Sequence, residues 1–143
     1  MAGVNMRLLG KKTLDFSKLV ASQTQMLIVS NAINTMNYRE GTLVVRVHGT
    51  KDITGDASIQ VMLVRTAPTE EDPATLFYQA EPTLLTVTID ADTSAPTGEA
   101  GTLLTGELPP NFGAYLGLAV MGVQASSTQT IKATISVDLT LKE

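Results

Sequence analysis

His48 is the only histidine in the 143-residue chain, so any acid–base mechanism that uses an imidazole must use this one. It stands near the end of an alternating stretch, beside Gly49, and shares a face with Arg46 and Thr42. No Gly-x-Ser-x-Gly elbow supplies a nucleophile for it. A metal site built on one imidazole would need carboxylates from distant loops. The expectation is a structural or interfacial histidine.

The remaining reactive residues are fragments. Glu70-Glu71-Asp72 could be cation ligands or half of an acid–base pair, but three adjacent carboxylates on a proline-flanked loop read first as a solvated turn. Asp90-Ala91-Asp92-Thr93-Ser94 opens like a calcium loop. Its sixth position is Ala95 instead of Gly and its twelfth is Gly101 instead of a bidentate Glu, so the match fails. Gly98, Gly101 and Gly106 do not compose a phosphate loop. With no Cys at all, thiolate catalysis, zinc–thiolate sites and disulfides go together. Aromatic residues are 4% of the chain and Trp is absent, which leaves Tyr38, Phe77, Tyr78, Phe112 and Tyr115 as the material for a sugar-stacking platform. The expectation is therefore a non-enzymatic scaffold or binding protein, with no cofactor and no metal.

Bulk composition points the same way. Charged residues are 17%, below the roughly 25% of an average soluble domain, and hydrophobic residues are 43%. Strands with neutral polar outer faces suit that balance, as does a surface partly covered by other subunits. The net charge is −4 and the basic residues are scattered apart from Lys11-Lys12, so nucleic acid, which needs a clustered positive patch, is not an expected partner. The longest apolar runs, Leu43 to Val47 and Leu116 to Val123, are far shorter than the roughly 20 residues of a membrane helix. The opening MAGVNMRLLGKKTLDF lacks the apolar core and cleavage site of a secretory signal, so synthesis in the cytoplasm is expected.

The elements that must position these residues are strands. In QTIKATISVDLTLKE, Ile131, Ala133, Ile135, Val137, Leu139 and Leu141 alternate with Lys132, Thr134, Ser136, Asp138, Thr140 and Lys142. That is the period-2 signature of a strand with a buried inner row and a polar outer row facing water or a subunit. GTLVVRVHGT, residues 41–50, repeats the pattern. SIQVMLVRT, residues 58–66, is apolar on both faces, which predicts a central place in a sheet. Shorter strands are expected within residues 13–19, 25–33, 74–79, 83–90, 102–108 and 114–124. Gly117 and Gly122 in the last of these, and Gly113 just before it, signal bulges or close approach. A helix over 17–32 is the rival for the second segment, and Ile28-Val29 with the following Asn residues argue against it. Residues 1–12 show no sustained period and are expected as an extended N-terminal arm, ordered only against a neighbour, with residues 13–143 as a single domain. About eight strands joined by Gly, Pro, Asp and Ser loops, with no helix, predict an all-β antiparallel β-sandwich of jelly-roll type.

NYREGTLVVRVHG, ASIQVMLVRTAPTEEDPATLFYQ, GAYLGLAVMGV and TIKATISVDLTLKE, taken in that order, resemble the small jelly-roll decoration or cement proteins of tailed-phage capsids. The resemblance lies in strand rhythm and phrases over residues 25–142. It implies a non-enzymatic protein on the outer surface of the virion, bridging major capsid subunits and working as a homodimer or homotrimer. The expected contact residues are Met6, Arg7, Leu8 and Leu9 of the arm and Glu70, Glu71 and Asp72 of the polar loop. The alternative is a carbohydrate- or receptor-binding sandwich built on the aromatic residues named above.

Overall fold

A computed structural model describes residues 3–16, 23–28, 33–51, 53, 57–68, 76–78, 83–90, 102–124 and 131–143. Ten strands are seen among them: β1 (Gly3–Asp15), β2 (Gln23–Ile28), β3 (Ile33–Asn34), β4 (Glu40–Lys51), β5 (Ser58–Pro68), β6 (Leu76–Tyr78), β7 (Leu85–Ile89), β8 (Thr102–Glu107), β9 (Tyr115–Gln124) and β10 (Lys132–Lys142). The first sheet has the order β1-β10-β4-β8, and the second β2-β9-β5-β6, with β3 also on β9 and β7 also on β5. Because β2 and β3 share one neighbour, as do β6 and β7, the ten strands fill eight positions in two four-position sheets. All pairings are antiparallel. Apart from the steps β2 to β3 and β5 to β6 to β7, every connection passes from one sheet to the other, which is the jelly-roll path.

Alternation makes the sandwich. Leu43, Val45 and Val47 of β4 and Ile135, Val137, Leu139 and Leu141 of β10 face Ile59, Val61 and Leu63 of β5 and Leu116, Leu118 and Val120 of β9 in one core. β5 is central as its two-sided apolar pattern predicts, and Met62 and Val64 on its other face are buried as well. At one end Phe16 closes the space between the sheets, its amide donating to the carbonyl of Ile131 (2.9 Å). Gly122 exists for that ring: a Cβ there would stand 2.5 Å from Phe16 Cγ.

Residues 3–12, expected as an unpacked arm, run instead as the first part of β1 and pair with β10, so the expected boundary at 12/13 falls inside a strand. Val4, Met6 and Leu9 lie opposite Leu141, Leu139 and Val137. The pairing shifts register between Arg7 and Leu9 and again between Leu9 and Lys12. Each extra residue inverts the in–out order, which is why the segment shows no period when read linearly. The loop at 70–72 lies outside the described residues.

Candidate interaction surface

The outer row of β10 is not simply wet. Asp138 and Ser136 point away from the core yet are buried, with the Asp138 side chain 3% exposed. Strand order explains this. β10 lies between β1 and β4, and each supplies an arginine to the same carboxylate: Arg7 donates from Nε to Oδ1, and Arg46 from Nη1 to Oδ2. The two guanidiniums cover Asp138 while remaining substantially open to solvent, at 57% and 43%. At these two positions the expected water-facing or subunit-facing role passes to the longer side chains on either side, while Lys132, Thr134 and Thr140 are partly exposed and Lys142 is exposed, as expected of the row.

His48 joins the same face. Its Nε2 lies 3.1 Å from Ser136 Oγ, a pairing that strand register brings about and that no spacing in the sequence reveals. Both oxygens of Asp138 are committed to guanidiniums, and Ser136 is 2% exposed. Histidine, serine and aspartate thus share a face, but the carboxylate orients arginines instead of the imidazole, and the hydroxyl sits below the surface. A hydrolytic triad needs the opposite on both counts.

Around this centre the face is held by neutral contacts across strands: Thr13 Oγ1 with Thr134 Oγ1 (2.7 Å), and Thr140 Oγ1 donating to Asn5 Oδ1 (3.1 Å). Lys132 Nζ and Asp15 form an ion pair at 3.5 Å. On the β8 side, Leu103 is opposite Arg46 and 61% exposed. Of the four arm residues expected at an interface, Met6, Leu8 and Leu9 pack in part against the chain's own core, and Arg7 belongs to the outer face. Glu70, Glu71 and Asp72 lie outside the described residues. Among the described residues no group of three or more His, Cys, Asp or Glu side chains could hold a metal ion, and the calcium-like stretch after Asp90 lies outside them.

A second feature lies at one end of the sandwich, where residues 35–39 meet the turn 110–114. Asn111 (φ 61°) and Gly113 (φ 94°) are both left-handed, conformations that Asn and Gly adopt at least cost. They flank Phe112, which is buried in the core. Thr35 Oγ1 donates to the Gly113 carbonyl (2.8 Å) and Arg65 Nη2 to the Asn111 carbonyl (3.1 Å), fixing the turn from β5 and from the residue that follows β3. The resulting cleft is lined by Met36, Tyr38, Arg39 and Asn111 among others. Tyr38 is partly buried against the core, and Tyr115 begins β9 opposite Asn34.

No family model matches the chain, and no curated protein matches it. Solved structures do resemble it. The VP2 subviral particle of infectious bursal disease virus matches with a TM-score of 0.52 and 8% identity over 98% of this chain and 31% of that one. The Gx strain of the same virus gives 0.48 and 10% over 98% and 31%. The decameric BFDV capsid protein gives 0.37 and 9% over 99% and 100%. The chain spans about a third of the length of the first two. The likeness to the VP2 structure is one of fold: this chain is built as the same kind of jelly-roll sandwich as part of a viral capsid protein.

Proposed function

We propose that the chain is a non-enzymatic structural protein of a virus particle, a decoration protein that binds the outer surface of a tailed-phage capsid and bridges major capsid subunits. The observation that carries this reading is the four-stranded outer face. Three adjacent strands are tied across their outer side by the Arg7–Asp138–Arg46 bridge, flanked by Thr–Thr and Thr–Asn contacts. A clamp needs a stiff platform whose many weak contacts are multiplied by symmetry. The jelly-roll fold and the resemblance in strand phrases support the same reading.

The reading is tested on particles. The protein should copurify with virions of its own phage, and protease treatment of intact virions should remove it while the packaged DNA stays protected. Recovery of the protein only from the soluble fraction of the lysate, or in virions only in a protease-resistant form, would count against an outer-surface role. The cleft beside Tyr38 and Arg39 favours a second reading, a glycan- or receptor-binding module, for which specific glycan binding by a protein that never joins the particle is the distinguishing result.

A further inference from the structure

The two edges of the four-stranded sheet are built differently. The β1 edge is broken by two register shifts and carries Arg7, Lys11 and Lys12, the devices by which edge strands avoid joining other strands. The β8 edge has no register shift and no basic residue, and its one charge, Glu107, stands at its end. It pairs with β4 in unbroken register from Thr42–Glu107 to Val47–Thr102, and residues 102–106 are uncharged and free of proline. Among the described residues β8 has no ladder partner other than β4. Leu103, one of two large hydrophobic residues well exposed among the described residues, stands on this strand.

We infer that β8 is a self-association edge: two copies of the chain pair β8 to β8 antiparallel about a twofold axis at Thr105, joining their four-stranded sheets into one. Charge selects both the partner and the register. With the axis at Thr105, Leu103 lies opposite Glu107 of the second copy, and Leu104 opposite Gly106. Opposed residues share a face, so Leu103 then sits in one row between Arg46 of its own chain and Glu107 of the other. Two strand spacings, about 9.6 Å, separate the backbones of that arginine and glutamate, within the joint reach of the two side chains. Arg7 and Arg46 share the single carboxylate of Asp138, two positive charges against one negative, so the cluster has an excess positive charge to meet the incoming glutamate. The same contact forms twice, as a twofold axis requires, and no like charges are opposed. The inference concerns the free protein and does not rest on capsid binding, so the two can fail separately.

Sedimentation equilibrium on the full-length protein tests it. The wild type should be a dimer. Leu103→Glu, which sets two carboxylates against each other at both ends of the ladder, should raise the dimer dissociation constant at least tenfold. Leu103→Lys should retain the dimer, and Leu103→Glu combined with Glu107→Lys should restore it. A monomeric or trimeric wild type, or a Leu103→Glu protein that dimerises as tightly as the wild type, overturns the inference. So does equal weakening by Glu and Lys at this position. Should Leu103→Glu fail to fold, hydrogen exchange of the wild type decides: amides of 102–107 should gain protection as concentration rises through the dimer range, and concentration-independent exchange there contradicts the pairing.

Discussion

Ile135→Asp is expected to leave the domain unfolded at room temperature, whereas Thr134→Asp, one residue away, is expected to melt close to the wild type. Ile135 is completely buried in the middle of β10, between β1 and β4 and over the shared core. Losing its side-chain volume alone costs roughly 2–4 kcal/mol, and an unpaired carboxylate in the same place adds several more. Domains of this kind are stable by about 5–15 kcal/mol, so the sum consumes most or all of that margin. Thr134 faces the other way and is half-buried, and its contact with Thr13 is exposed, so the second substitution loses about 1 kcal/mol at most. Circular dichroism with thermal and urea melts separates the two outcomes. If Ile135→Asp melted with the wild type, the assignment of the β10 inner row to the core would be wrong.

The second large effect is an asymmetry. Replacing both Arg7 and Arg46 with Met should destabilise the domain by about 3–5 kcal/mol, because it leaves the Asp138 carboxylate buried with no compensating charge. Asp138→Asn should cost less, about 1–2 kcal/mol, since both guanidiniums are well exposed and can turn to water. Methionine keeps most of the apolar stem that covers the outer row, so the double variant isolates charge from packing. Adding Asp138→Leu to the double variant removes the stranded carboxylate and should recover most of the loss. Urea denaturation midpoints at constant m give the order directly. If Asp138→Asn proved the more damaging change, the carboxylate would be acting through something other than the two arginines.

These two sites mark what the sequence could and could not disclose. The inner row of β10, the alternation of β4 and the two-sided apolar pattern of β5 are local, and they were legible because each follows a two-residue period uninterrupted over most of its length. β1 was not legible, because register shifts around Leu8 and Gly10 invert the in–out order twice within thirteen residues. The outer cluster was half legible. An aspartate within a row of Thr, Ser and Lys is visible at position 138, but its partners at 7 and 46 are 131 and 92 residues away. Only the strand order β1-β10-β4 brings them together. His48 was singled out as the one imidazole, and its contact with Ser136 likewise depends on register across β4 and β10.

The proposed shell-bridging role asks the sandwich to bear load, and its outer face is locked by Arg7, Asp138 and Arg46. The Arg7–Asp138–Arg46 bridge ties the first and last strands to β4, so force applied to one outer strand is shared across three. The long apolar rows beneath it supply the remaining stiffness, since close-packed cores transmit strain instead of absorbing it.

Reconstitution puts the proposed role to its most direct test. Purified protein would be mixed with expanded shells assembled from the major capsid protein of the same genome, the shells pelleted, and the bound copies counted as protein concentration rises. A shell-bridging decoration protein should bind saturably, at a fixed number of copies set by the shell's symmetry, and the decorated shells should withstand higher temperature than bare ones. Protein that remains in the supernatant at saturating concentration, or that binds without limit and leaves shell stability unchanged, would contradict the assignment.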